Sequence, residues 1–331
     1  MARSMWPRLP AIHFDFANTG VVNAFACIYR DQYFIGVTKG AVASLALFFE
    51  RMLSDRRILM QIGNSDGEME HPPLTYPLAE ALVQDNLANG PNHPTDSMRQ
   101  DYCKWLTLSA LDFLILHELG HIANGHVDRA VAKQLSPFIA EFGGEPLTPE
   151  EAIELHLMEI DADGFAASQG VCKTMNVVKN PPYAIPQLAS YDGLLFSWLF
   201  AVFSFFRMFG DTPIASIDVY EKRHPPHRQR VAFFWNAVVA ASENVAGIIA
   251  GQLAPVVWQA GSSTERAFHF LTGEPISPPE RYSEAFEPTN QNKDYAKHLA
   301  KRWNEGMRQE LSLYAYGPLM DFTVVDASAT N

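Results

Sequence analysis

The stretch Leu116-His117-Glu118-Leu119-Gly120-His121 sets two imidazoles four residues apart, with a carboxylate beside the first, inside an apolar run. In an α-helix, residues i and i+4 project from one face, so His117 and His121 can ligate one divalent ion from successive turns. Glu118 is turned by about 100° from His117. That rotation sets its carboxylate beside a metal-bound water, where it can act as general base, and not on the metal. The preceding residues from Trp105 to Leu116 include Leu106, Leu108, Leu111, Phe113, Leu114 and Ile115 and no proline, and Gly125 follows where a helix can end. A buried metal helix over 101–127 is expected.

Catalytic zinc usually takes three protein ligands and keeps one position open, so a third ligand must come from elsewhere in the chain. Glu159 is the candidate, on a segment that opens with Thr148-Pro149-Glu150-Glu151. That opening is a capping box with proline at the first helical position. The helix is expected to run to about Ser168, before Gly170, with Glu159 and Asp163 on one face at i and i+4. A carboxylate one turn beyond a ligand suits the free ring N–H of a ligating histidine, and Asp163 is given that role. His126 lies nine residues after His117, half a turn off the metal-binding face, and is not expected to be a ligand. The metzincin pattern would need glycine at 124 and histidine at 127, where this chain has Asn124 and Val127, which favours Glu159.

These residues resemble the gluzincin metallopeptidases, in which a second helix supplies a glutamate ligand followed by an aspartate. Glu159-Ile160-Asp161-Ala162-Asp163 is similar to the Glu-x-x-Ala-Asp motif of the HtpX and CAAX-prenyl-protease group. Two other stretches resemble that group: Asn23-Ala24-Phe25-Ala26 followed by Phe34-Ile35-Gly36-Val37-Thr38-Lys39-Gly40, and His224-Pro225-Pro226-His227-Arg228-Gln229-Arg230-Val231. The soluble Lit-type phage-exclusion peptidases also carry an HExxH helix in a chain of comparable size. The resemblance implies one zinc ion held by His117, His121 and Glu159. It also implies peptide hydrolysis by metal-activated water with Glu118 as base.

The residues bear their own reading beside the resemblance. Val21 to Tyr29 and Gln32 to Thr38 are two β-rich runs joined by Arg30-Asp31, so a hairpin is expected, followed by an apolar helix through Phe49. In gluzincins such a strand edges the cleft, and an extended peptide substrate is expected to bind along Val21–Thr38. His224 precedes two prolines that hold the backbone extended and permit a new helix from about His227. On such a corner it can donate to the oxyanion formed at the substrate carbonyl. Arg230 is expected to pair with Asp163 or Glu159 or to position substrate. Tyr220 could donate to an oxyanion but is read first as a packing residue, His156 is read as a surface or packing histidine, and His227 has no assigned role.

With 331 residues and 47% of them hydrophobic, the chain can bury a sizeable core. Its net charge of −12 argues against a nucleic-acid surface. The three cysteines are widely spaced, which points to a reducing compartment and a cytoplasmic location. The uncharged run Gly193 to Phe206 is short of the ~18–20 residues that span a bilayer, so no integral membrane segment is expected.

The expected architecture is α+β and mainly α, a gluzincin-type domain with a small antiparallel sheet beside the HExxH helix. A single elaborated domain covers 1–275, with 56–100 as an insertion that could form a lid or recognition surface, and 276–331 as a helical extension. The alternative is a metal-binding sensor or protein-interaction module that keeps the fold without turnover.

Overall fold

The computed structural model describes residues 9–133, 138–140, 148–181, 183–210, 219–276 and 290–320. Among them the chain is mainly helical, as expected for the α+β class, with one small sheet.

The expected hairpin forms as β2 (Ala24–Tyr29) and β3 (Gln32–Thr38). Its two-residue turn puts both Arg30 and Asp31 at positive φ, the conformation that matches the twist of the flanking strands. The sheet is not purely antiparallel, however. A strand that the sequence reading missed, β1 (Ile12–Ala17), lies parallel to β3, in register from Ile12 opposite Tyr33 to Ala17 opposite Thr38. Its alternation is weak because it is an edge strand with Phe14 and Phe16 exposed. On the far side, β4 (Phe138–Ala140) runs antiparallel to β2, opposite Phe25 to Cys27, giving the order β1-β3-β2-β4. Both edges of the hairpin are therefore already hydrogen-bonded over these residues. A peptide can add along β2 at Phe25–Cys27 only in place of β4.

Thr38 ends β3 and caps α1 (Lys39–Leu53), its hydroxyl accepting from Ala41 N–H at 3.1 Å. A short helix α2 (Leu78–Asn89) follows and packs on α1. The HExxH helix α3 (Ser97–Ala123) is capped by Asp96 and passes through the centre of the molecule, in contact with α1, the β2 and β3 strands, and later helices. It is the one described helix long and apolar enough to cross a membrane by length and composition, yet most of that stretch is buried inside the protein.

At the start of α3 the fully buried Arg99 donates to five backbone carbonyls, those of Leu53, Asp55, Ile58, Leu59 and Ile62, at 2.7–3.1 Å. Residues 53–62 thus coil around one guanidinium, which satisfies carbonyls that no regular ladder would pair. The start of the expected insertion, through Ile62, is fastened there. Eighteen residues of helix separate Arg99 from His117, about 27 Å along the axis, so this segment sits at the end of α3 opposite the histidines.

Gly125, in the left-handed region at φ 80°, turns the chain into α4 (His126–Ala132). The Thr148–Glu151 capping box is present and starts α5 (Pro149–Val177). This helix does not stop before Gly170 but continues to Val177. Gly170 lies inside it because a Cβ there would come within 2.0 Å of the Trp198 ring, so the glycine serves close packing and not termination. Trp198 belongs to the apolar helix α6 (Tyr191–Arg207), followed by α7 (His227–Ala246) and α8 (Ala250–Thr272). Together with α1 and α3 these build the largest buried cluster, including Phe48, Phe113, Phe200, Phe206, Phe234 and Phe268.

The C-terminal part, α9 (Asn290–Arg302) continuing through a π-helical turn to α10 (Arg308–Leu311), packs on the outer face of α5. Leu299, Trp303, Met307 and Leu311 close over Ile153, Leu157 and Ile160. Buried Arg129 on α4 donates to Glu154 at 2.8 Å and to Glu310 at 2.9 Å, joining α4, α5 and this tail. Tyr220 is half-buried against the same cluster, with its ring edge-on to His298, the packing role expected of it. Cys27, Cys103 and Cys172 form no disulfides.

His156 is a packing residue, fully buried between α5 and the tail. Its Nε2–H donates to the Lys222 carbonyl at 2.8 Å and its Nδ1 accepts from the Tyr295 hydroxyl at 2.7 Å. Burial lowers its pKa from 6.5 to about 4, against the pull of the Lys222 carbonyl. The unfolded chain therefore binds the extra proton first, and stability is full above pH ~6.5 and falls as pH drops toward 4. The interval corresponds to ~3 kcal/mol. His156→Gln, whose amide can make both bonds, is expected to unfold in urea with a pH dependence flatter than wild type by about that amount between pH 6.5 and 4; equal slopes would refute it.

Candidate metal centre

The approach of α5 to α3 creates the site. Gly120, inside the HExxH turn, has no side chain, and a Cβ there would come within 3.0 Å of the Ala162 Cα and 3.2 Å of the Phe165 Cβ. A glycine within a helix costs ~1 kcal/mol relative to alanine, and here it permits two helix backbones to meet at the level of the histidines. Glu159 then reaches across from α5.

His117 Nε2 and His121 Nε2 lie 3.1 Å apart, and each is 3.4 Å from a different oxygen of Glu159. The side chains are 0%, 1% and 4% exposed, so no bulk water separates them. These three residues are the described group whose ligand atoms all fall within 4.8 Å of one another. On its far side, His117 Nδ1 is 2.8 Å from Asp163 Oδ1. Asp163 already receives Arg230 Nε–H and a terminal N–H, both at 2.8 Å, so its oxygens accept and the His117 Nδ1 carries the proton. The lone pair of His117 thus points at His121 and Glu159.

Electrostatics agree with the geometry. Burial lowers the His121 pKa to about 4 despite the neighbouring Glu159, keeping its imidazole neutral near pH 7. Burial alone would raise the Glu159 pKa, but the charge of a protonated His224 beside it holds its carboxyl well below the usual carboxylate range. Among the described residues, Glu159 Oε2 nonetheless has no hydrogen-bond partner. Imidazole lone pairs and a carboxylate facing one another in a dry core form a donor set that fits a divalent cation.

All seven of the site residues expected from sequence lie at or beside this centre. His117, His121 and Glu159 converge; Asp163 and Arg230 pair behind His117. His224, on the extended corner before α7, places Nδ1 3.1 Å from Glu159 Oε2, and Arg230 approaches the same oxygen at 3.7 Å. Glu118 is buried at 1% exposure one position along α3. Together with burial, its charge raises the pKa of the Cys27 thiol, which sets the carboxylate beside β2.

Two residues to which the sequence assigns no positioning role also stand at the site: His126, not expected to be a ligand and not one, and Asp161. His126 Nδ1 is 2.9 Å from His121 Nδ1, and His126 Nε2 is 3.0 Å from Asp161 Oδ2. The chain reverses at Gly125, so helical periodicity carried no signal for His126, and Asp161 lies off the Glu159–Asp163 face. His126 stands behind His121, opposite the cluster, and does not close it as a further ligand.

Comparison with protein-family models, with curated proteins and with solved structures finds no match. The class that fold and site define is a mainly helical α+β protein whose buried His-His-Glu group can hold a metal ion.

Metal-free protein titrated with Zn²⁺ or Co²⁺ is expected to take up one ion per chain and to melt at a higher temperature, by the linkage of binding to folding. Gly120→Val, which forces α5 away from α3, is expected to weaken binding at least as much as Glu159→Gln. Undiminished affinity in Gly120→Val would show that the helix contact does not set the site.

Proposed function

We propose that this protein is a zinc-dependent endopeptidase that cuts a protein target in the cytoplasm. The observation that carries the reading is the convergence of His117 Nε2, His121 Nε2 and the Glu159 carboxylate, with a buried carboxylate, Glu118, next on the same helix. The HExxH, Glu159–Asp163 and His224–Arg230 stretches that resemble gluzincins contain the residues that meet here, which supports the reading further.

Zinc held by His117, His121 and Glu159 would polarise the scissile carbonyl and lower the pKa of an attacking water toward ~7. Glu118, turned off the ligand face, is placed to take the proton of that water and deliver it to the leaving amine. Asp163, clamped by Arg230, keeps His117 in the tautomer that offers Nε2. His224, 22% exposed at the rim beside Glu159, is placed to donate a hydrogen bond to the developing oxyanion. No residue is required to form a covalent acyl intermediate.

An extended substrate would run along β2, beside Glu118 and Cys27, taking the antiparallel place that β4 holds at Phe25–Cys27. The −12 net charge gives no reason to expect an acidic partner. A target that resembles those of the Lit-type peptidases is an extension of the same reading.

The discriminating experiment compares new protein N-termini in cells expressing wild type and Glu118→Gln. Glu118→Gln is expected to keep one zinc per chain and lose cleavage by at least ~100-fold, the usual worth of a general base. Cleavage by a folded, metal-loaded Glu118→Gln protein would sink the assignment. Wild type with metal and no cleavage would favour a sensor or interaction module.

A further inference from the structure

We infer that His126 and Asp161 are positioning residues of the metal centre, forming a buried hydrogen-bonded line that holds His121 in the one tautomer able to offer Nε2 to a metal. The inference rests on the reading of His117, His121 and Glu159 as metal ligands and does not require that the protein be a peptidase.

The line can be followed atom by atom. Asp161 Oδ2 receives the Asn124 side-chain N–H at 2.5 Å and faces His126 Nε2 at 3.0 Å. A carboxylate oxygen accepts, so His126 Nε2 is the protonated nitrogen. In neutral imidazole the other nitrogen is then an acceptor, and His126 Nδ1 can bond His121 Nδ1 at 2.9 Å only if the latter carries hydrogen. His121 Nε2 is left with its lone pair, 3.1 Å from His117 Nε2 and 3.4 Å from Glu159. Both rings are at most 1% exposed, so water does not compete for these bonds.

The two ligands are thus oriented by different devices. His117 leans directly on Asp163, whose charge is shared with Arg230. His121 reaches its carboxylate through a second imidazole, because the left-handed Gly125 folds the start of α4 back beneath the end of α3. The tail locks that return. Tyr316 N–H donates to the Ala123 carbonyl at 2.9 Å, and a Cβ on Gly125 would meet the Tyr314 backbone at 2.6 Å. Outer hydrogen bonds of this kind typically carry 10–100-fold in metal affinity.

The test uses the full chain and Zn²⁺ in competition with a chelator, with Co²⁺ spectra as a second readout. His126→Ala is expected to weaken Zn²⁺ about 10–100-fold while still binding one ion, and Asp161→Ala to weaken it in the same direction. His126→Gln can accept from His121 through its amide oxygen and donate to Asp161 through its amide nitrogen. It is expected to restore affinity to within a few-fold of wild type, with a Co²⁺ spectrum like that of wild type. That rescue separates positioning from loss of packing, and Asp161→Ala keeps the test available where His126→Ala does not fold. Wild-type affinity in both alanine variants, or no recovery in His126→Gln, would overturn the inference while leaving the metal centre intact. Wild-type protein that takes up no metal would remove both.

Discussion

The contact between Gly120 and Ala162 is the constraint on which the rest of the centre depends. Helix axes normally stand 8–10 Å apart at a distance set by the side chains between them. Placing a glycine opposite an alanine lets the two backbones close until a Cβ would no longer fit without displacing Ala162. Glutamate has a short reach, so Glu159 touches both histidines only because the helices meet at this level. The same approach delivers Asp163 to His117 and Asp161 to His126. One small residue thereby sets the position of three carboxylates.

Charge balance explains why those carboxylates come with so many partners. Glu118, Glu159 and Asp163 are nearly devoid of solvent, and Asp161 is only 6% exposed. An uncompensated charge in such surroundings costs several kcal/mol after relaxation. Arg230 answers Asp163 with a bidentate pair and stacks over Phe206 at 4.7 Å. Asn124 and His126 answer Asp161. Among the described residues Glu159 meets imidazoles and the more distant Arg230 guanidinium, and its Oε2 has no hydrogen bond. The three residues that converge there could hold a metal ion, whose charge would complete the balance.

Much of this could be read from local signals. The HExxH spacing, the Thr148 capping box and the Arg30-Asp31 turn each rest on interactions between residues at most four apart, where helical and hairpin geometry allows few alternatives. Signals that failed were those whose meaning is settled at a distance. Gly170 looks like a helix terminator until Trp198 is found against it, and β1 looks like loop until it pairs with β3 across the hairpin. The coil of residues 53–62 around Arg99 is held by five carbonyls, and no motif announces it.

The order of residues alone sets the two histidines on one helical face, the carboxylate beside them, the helix that carries Glu159 and Asp163, and the mainly helical α+β class. Side-chain periodicity and capping are local, and the residues that produce them are adjacent in the chain. Folding in three dimensions was needed to bring α3 and α5 together at Gly120, to fill the β2 edge with β4, to seal the end of the HExxH helix with the tail, and to set His126 behind His121. Each of these depends on packing between segments that no fixed spacing links, where the fit of one surface against another selects the partner.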